Sequence, residues 1–202
     1  MSALVDARNV HTVRRDFGRI AAFLALIWVV FVLDRFLPLE SFGLIPRTLA
    51  GLTGIVAMPF LHGDFAHLMS NSVPLVVTLL LLAGSRANSG AIVVLIILLG
   101  GTGLWLFGRQ ALHIGASGLV FGLIAFHIFA GIFERRARSI LIAIVVGVLY
   151  ASTLFQGVLP MQRGVSWDGH LFGALAGVVV ALLAARLLKQ QSAASPSGAT
   201  RP

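Results

Sequence analysis

Six apolar stretches, separated by short polar segments, run along the 202-residue chain. Each stretch holds few charged side chains, and a helix of about 20 apolar residues is long enough to cross the hydrocarbon core of a bilayer. The pattern therefore predicts an all-α, polytopic membrane protein built as a six-transmembrane-helix bundle. We place the six spans at residues 18–37, 65–83, 91–107, 117–133, 139–156 and 168–188.

The segments outside these spans differ in character. Residues 1–17 are polar and basic and are predicted to be a cytoplasmic tail, and the polar residues 189–202 are predicted to be a disordered C-terminal tail. Residues 38–65 are too apolar for an aqueous loop, so we expect them to lie in the membrane interface, partly buried. Residues 18–188 would then form a single membrane domain.

Composition and charge support the membrane assignment and orient the chain. Apolar residues make up 58% of the sequence and charged residues 11%, against about 25% charged residues in average soluble domains. The net charge of +8 could suggest a nucleic-acid partner, but the basic residues flank apolar spans, which indicates membrane topology and no nucleic-acid interface. Eleven of the 15 Lys and Arg lie on the side of the N-terminus. We therefore expect a plasma (inner) membrane protein with both termini cytoplasmic.

Polar side chains from three of the spans are predicted to meet in one layer of the bilayer, near its outer side. His67 and Asn71 open the second span four residues apart, and so share a helix face, with His62 just before them. Ser117 opens the fourth span, and His170 lies near the start of the sixth. Polar groups inside a membrane are costly and usually functional, so this layer is the candidate site.

Small residues on the fourth and sixth spans favour a close crossing of these two helices. The matching glycines are Gly115, Gly118 and Gly122 on one span and Gly169, Gly173 and Gly177 on the other. A close crossing would bring Ser117 within hydrogen-bond reach of His170. A serine becomes a good nucleophile when an adjacent base takes its proton.

Alternative catalytic chemistries find no support in the residues. The chain has no Cys and no H-E-x-x-H motif, so we expect neither a metal nor a cofactor, and no pair of aspartates lies in the middle of the spans. Asp168 is two residues before His170, on the other side of the helix, which makes it a poor third member of a triad. The sequence therefore predicts a Ser117–His170 dyad.

These residues resemble those of the rhomboid family of intramembrane serine proteases over roughly residues 18–188. The matching motifs are Gly115-x-Ser117-Gly118, His170 in a glycine-rich span, and His62-x4-His67-x3-Asn71. The resemblance implies a helical bundle with a water-filled cavity open to the outside. It also implies that the serine attacks a peptide bond in a transmembrane protein substrate within the lipid bilayer, while the histidine acts as general base and then as general acid.

The resemblance further assigns supporting residues, and two positions depart from the family pattern. It implies an oxyanion hole formed by the Ser117 N–H with His67 and Asn71. Phe121 stands where the family often has a tyrosine, and we expect its ring to rest against His170. The long loop after the first span has Arg47 but lacks the tryptophan that often accompanies it.

Structural explanations for single residues remain open at this point. Ser117 could be a small residue at a helix crossing, His170 could bond a backbone carbonyl, and Asn71 could join two helices. His62 either orders the loop or hydrates the cavity. We expect His127 to lie too deep for the cavity and to bond another helix.

Two other functional classes compete with a protease. A non-enzymatic rhomboid-like protein would bind and escort membrane clients, but such members typically lose the serine or the histidine, and this chain has both. A small transporter would usually show repeated halves and broken helices, and the sequence shows neither.

Overall fold

The computed structural model describes residues 7–86, 89–160 and 164–194, with side chains for residues 15–86, 89–160 and 164–191. No β-strand occurs in these ranges, which confirms the all-α class. The α-helices are α1 (Ala7–Leu33), α2 (Gly54–Ala57), α3 (Phe65–Ser85), α4 (Ser89–Phe107), α5 (Ser117–Glu134), α6 (Ala137–Gly157) and α7 (Trp167–Ala194).

Six of the described helices are long and apolar enough to cross a membrane, so the predicted number of spans is confirmed. The helix ends differ from the predicted spans, because hydropathy marks the border of the apolar region and not the end of a helix. The first helix begins at Ala7 and stops at Leu33, where the carboxylate of Asp34 accepts the Glu40 N–H at 3.1 Å and stabilises a turn. Residues 189–194, predicted to be disordered, are helical, and residues 1–6 and 195–202 lie outside the described part of the chain.

The segment between α1 and α3 folds into short helical turns that pack against the bundle. Leu44 is fully buried and exchanges two backbone hydrogen bonds with His113, at 2.9 and 2.8 Å. Trp105 of α4 donates its indole N–H to the Thr48 carbonyl at 2.9 Å, and Arg47 donates to the Gly108 carbonyl at 2.8 Å. The segment is thus partly buried, as predicted, and a tryptophan from α4 anchors the loop that lacks its own.

The core of the bundle is the crossing of α5 and α7. A side chain on Gly173 would collide with the Gly118 carbonyl oxygen, and one on Gly177 would collide with the Gly122 carbonyl oxygen. The helix backbones are therefore in direct contact, as the spacing of small residues predicts. This crossing fixes the first turn of α5 beside the first turn of α7.

Candidate active site

Ser117 is the first residue of α5, and the turn before it is held from two sides. Gly115 has φ +111°, a left-handed conformation that favours glycine, and its N–H donates to the Met58 carbonyl at 2.9 Å. A side chain at Gly115 would collide with the imidazole of His67. The next N–H, that of Ala116, points to Nε2 of His62 at 3.4 Å. The serine therefore follows a rigid turn whose geometry only glycine permits.

The serine hydroxyl and the His170 imidazole lie within hydrogen-bond distance, and the other ring nitrogen fixes the proton. Nε2 of His170 is 2.9 Å from Oγ of Ser117, and Nδ1 is 2.9 Å from the Gly157 carbonyl oxygen. A carbonyl can only accept, so Nδ1 carries the hydrogen and Nε2 is left with a lone pair. This tautomer can accept the serine proton.

An aromatic ring supports the same imidazole. Phe121 stacks on His170 with ring centroids 4.0 Å apart and an interplanar angle of 10°. A side chain on Gly157 would collide with the Phe121 ring, so the end of α6 closes tightly over the stack. The imidazole is thus held by a ring on one face and by a carbonyl at its edge.

The serine opens onto a cavity of about 780 Å³ that His67 and Asn71 also line. Asn71 is 5% exposed, and its buried Nδ2 has no hydrogen-bond partner among the described residues. A buried donor without a partner is rare and calls for an explanation. The Ser117 N–H lies in the first turn of α5, where backbone donors have no partner inside the helix. Asn71, which lines the same cavity as the serine, and the backbone N–H of Ser117 are therefore two donors without a partner among the described residues.

Comparison with known proteins assigns the family. A family model for the rhomboid domain matches residues 49–187. The chain belongs to the rhomboid family. Uncharacterized proteins of Mycobacterium tuberculosis and Mycobacterium bovis are each 40% identical to it over 195 residues, covering 87% of this chain and 80% of theirs. An uncharacterized protein of Mycobacterium leprae is 34% identical over 195 residues, covering 91% and 77%. The rhomboid match and the six apolar helices together identify a multi-pass membrane protein.

His62 of this rhomboid contacts the serine turn and does not line the cavity. His62 is 1% exposed, and burial, together with repulsion from nearby His67 when that ring is protonated, lowers the pKa of His62 to about 4. The ring is therefore neutral at physiological pH, which leaves Nε2 free to accept the Ala116 N–H. Of the two roles considered for His62, this geometry favours ordering of the loop.

An ion pair at the start of α7 is one part of the rhomboid site that sequence reasoning missed. Asp168 accepts the Arg109 N–H at 2.8 Å and pairs with its guanidinium at 3.0 Å. The ring of His113, a residue without a role in the predicted site, bonds the Ser166 hydroxyl at 2.7 Å. The Ser166 carbonyl in turn accepts the backbone N–H of His170 at 3.0 Å. These contacts tie the loop before Ser117 to the turn that carries the histidine.

Two further predictions concern residues outside the dyad. The carboxylate of Asp168 is occupied by Arg109, and the structure gives it no hydrogen bond to His170, in line with its exclusion from a triad. His127 bonds the Thr78 carbonyl at 3.0 Å and so joins α5 to α3, as expected of a structural histidine. Within the described residues, no group of three His, Asp or Glu is arranged to hold a metal ion.

Proposed function

We propose that this rhomboid is an intramembrane serine endopeptidase that cleaves transmembrane segments of other membrane proteins near the outer face of the bilayer. The observation that carries the proposal is the 2.9 Å contact between Ser117 Oγ and His170 Nε2, with the tautomer set by the Gly157 carbonyl. A structural serine at a helix crossing would need no such base, and the cavity beside it would serve no purpose.

The first half of the reaction forms an acyl-enzyme. Ser117 Oγ attacks the carbonyl carbon of the scissile peptide bond while His170 Nε2 takes the hydroxyl proton. The tetrahedral intermediate then collapses, the C–N bond breaks, and the imidazolium gives its proton to the leaving amine. The N–H of His170 donated to Gly157 is kept throughout, so the ring holds its orientation.

The second half uses water from the cavity. A water molecule attacks the acyl carbon as Nε2 of His170 takes one of its protons. The C–O bond to Ser117 then breaks, the serine oxygen recovers a proton from the imidazolium, and the new carboxyl end leaves. The free enzyme is restored without a cofactor.

The oxyanion of both intermediates needs donors that are already in place. The free Nδ2 of Asn71 and the Ser117 N–H supply two, and the His67 ring packs against the same turn. The positive end of the α5 dipole lies at this point as well and favours negative charge. Stabilisation of this kind is usually a large share of catalysis.

The orientation in the membrane is part of the proposal. Arg86, Arg135, Arg136, Arg138 and Arg186 all lie at the end of the bundle opposite Ser117. Under the positive-inside rule this end faces the cytoplasm of a plasma membrane protein, with both termini on that side. The serine then opens toward the outer leaflet.

A fluorophosphonate probe tests the proposal, since it reacts with a serine that a base has activated. We expect the purified wild type to be labelled, and Ser117→Ala and His170→Ala to remain unlabelled. Ser85→Ala is the matched control, because Ser85 lies at the far end of α3 and bonds only the Leu82 carbonyl in the structure. Labelling that survives in Ser117→Ala would contradict the assignment and favour a client-binding rhomboid.

A further inference from the structure

A second cavity lies at the end of the bundle opposite the candidate active site. It has a volume of about 550 Å³ and lies between the start of α4 and the last turns of α7, below the turn that joins α5 to α6. Helix α5 has 18 residues, so on the order of 25 Å of helix separates this cavity from Ser117. We call it the basic cavity, after Arg86, Arg136 and Arg138 in its lining. The proposed peptide hydrolysis gives the basic cavity no role.

The charges around the basic cavity do not balance. Glu134 is its acidic residue, and its side chain is 2% exposed, held by Arg86 at 2.6 Å and by the Ser139 hydroxyl at 2.6 Å. Arg136 and Arg138 also line the cavity, and in the described part of the chain no carboxylate lies within ion-pair distance of either. With Arg86 and Glu134 neutralising each other, two positive charges remain.

The wall of the basic cavity is apolar and accessible. Leu183 and Leu187 of α7 are 43% and 58% exposed, and Leu95 of α4 is 41% exposed. All three belong to helices long and apolar enough to span a bilayer. A pair of unpaired arginines therefore stands directly above a lipid-accessible leucine surface.

We propose that the basic cavity binds one anionic phospholipid, with its phosphate on Arg136 and Arg138 and an acyl chain along Leu95, Leu183 and Leu187. Arginine binds phosphate oxygens in a bidentate manner, and basic pockets between transmembrane helices suit acidic headgroups. A free phosphate ion would leave the leucine wall unused. Residues 192–202 hold no Asp or Glu that could pair with these two arginines.

Native mass spectrometry of the detergent-purified protein tests the headgroup contact. The probes are phosphatidylglycerol and phosphatidylcholine with identical acyl chains. We expect phosphatidylglycerol to be retained as a single adduct and phosphatidylcholine to bind at least tenfold more weakly. The double variant Arg136→Gln/Arg138→Gln should weaken phosphatidylglycerol binding on the order of 30-fold, as expected for two arginines at a membrane surface.

A matched control separates the cavity from general charge. Arg135→Gln/Arg186→Gln removes the same charge at the same end of the bundle, from exposed residues that do not line the cavity. We expect this variant to bind phosphatidylglycerol within twofold of wild type. Equal losses in the two double variants would overturn the proposal, since binding would then follow net charge alone.

Two further measurements test the occupant. Leu187→Gln should weaken phosphatidylglycerol binding several-fold, because the acyl chain loses part of its wall, and an unchanged affinity would contradict a lipid. Inorganic phosphate at the same concentration should give no adduct, and an equally strong phosphate adduct would show that the ligand is a free anion. Thermal melts of every variant check folding, and the exposed, unpaired Arg136 and Arg138 should tolerate substitution.

Discussion

Helices α5 and α6 follow each other in the chain and differ sharply in how the protein surrounds them. In α5, 67% of the span is buried inside the protein, whereas in α6 the share is 6%. The two helices are similarly apolar, so hydrophobicity does not separate them. In a bilayer, small residues select the packed faces: α5 meets α7 through glycines, while Gly147 in the middle of α6 has nothing within 4 Å of the place where a side chain would begin.

The groups of the candidate active site are likewise shared between the tightly packed helices α5 and α7 and the little-buried helix α6. Ser117 and His170 both stand on the tightly packed α5–α7 pair, so their separation is set by backbone contact. The carbonyl that fixes the tautomer of His170 belongs to Gly157, at the last residue of α6. The proposed nucleophile and base thus lie on the tightly packed α5–α7 pair, and α6 supplies one hydrogen bond that orients the imidazole.

The largest expected effect comes from removing the proposed nucleophile or base from the α5–α7 pair without altering how these helices pack. Ser117→Ala and His170→Ala should each lower kcat for a model transmembrane substrate by about 10⁴–10⁶, because the nucleophile and its base act as one unit. Substrate binding should change little, since both groups act in the transition state. A gel-based cleavage assay with purified protein measures this, and substantial proteolysis by Ser117→Ala would refute the dyad.

Glycine substitutions on α7 and α6 test how much more tightly α5 packs against α7 than α6 packs against its surroundings. Gly177→Leu should prevent folding or cost at least about 3 kcal/mol, because any side chain there meets the Gly122 carbonyl of α5. Gly147→Ala in α6 should be neutral or stabilise the protein by up to about 1 kcal/mol, since alanine favours helix and the site is open. Thermal melts in one detergent compare the two. Similar losses of stability would show that α6 is packed as tightly as α7.

Removing the side-chain amide of Asn71, the donor on α3 without a partner, should give the next largest effect. Asn71→Ala should lower the cleavage rate on the order of 10²–10³, as for other lost oxyanion donors, and leave residual activity from the Ser117 N–H. Ser70→Ala is the matched control, since Ser70 lines the same cavity but its hydroxyl bonds the His67 carbonyl. A fully active Asn71→Ala protein would leave the unpaired amide as a structural feature only.

Substitutions of Phe121, whose ring stacks on His170, should have a smaller and more selective effect. Phe121→Tyr keeps the stacking plane and should retain activity, whereas Phe121→Ala should lower activity and destabilise the protein by about 3–5 kcal/mol if the cavity does not collapse. The ratio of kcat values in folded samples is the decisive measurement. If folded Phe121→Ala matches wild type, the Gly157 carbonyl alone suffices to orient His170.

The sequence predicts the parts of this molecule that side-chain identity encodes. Apolar runs locate the six spans, and matched glycines on two spans predict that Ser117 and His170 come close. The hydrogen bond from His170 to Gly157 leaves no such signal, because its acceptor is a backbone carbonyl that every residue possesses. The pairing of Arg109 with Asp168 bridges 59 positions and depends on how two loops meet, which no periodicity records. The catalytic roles of Ser117, His170, His67 and Asn71 all stay predictions.

The smallest expected effect is a pH dependence that originates beside the site. Burial lowers the pKa of His62 from 6.5 to about 4, so the folded protein holds this ring neutral while the unfolded chain protonates it below pH 6.5. The stabilising contribution is therefore complete above pH 6.5 and is lost as the pH falls toward 4. Between pH 7.5 and pH 5 the loss of stability from this group should be about 2 kcal/mol at most.

His62→Gln keeps an acceptor for the Ala116 N–H but does not titrate, so the melting temperature of this variant should fall less over this range than that of wild type. Parallel pH profiles for the two proteins would show that His62 is charged in the folded state, and that the turn before Ser117 is held in another way.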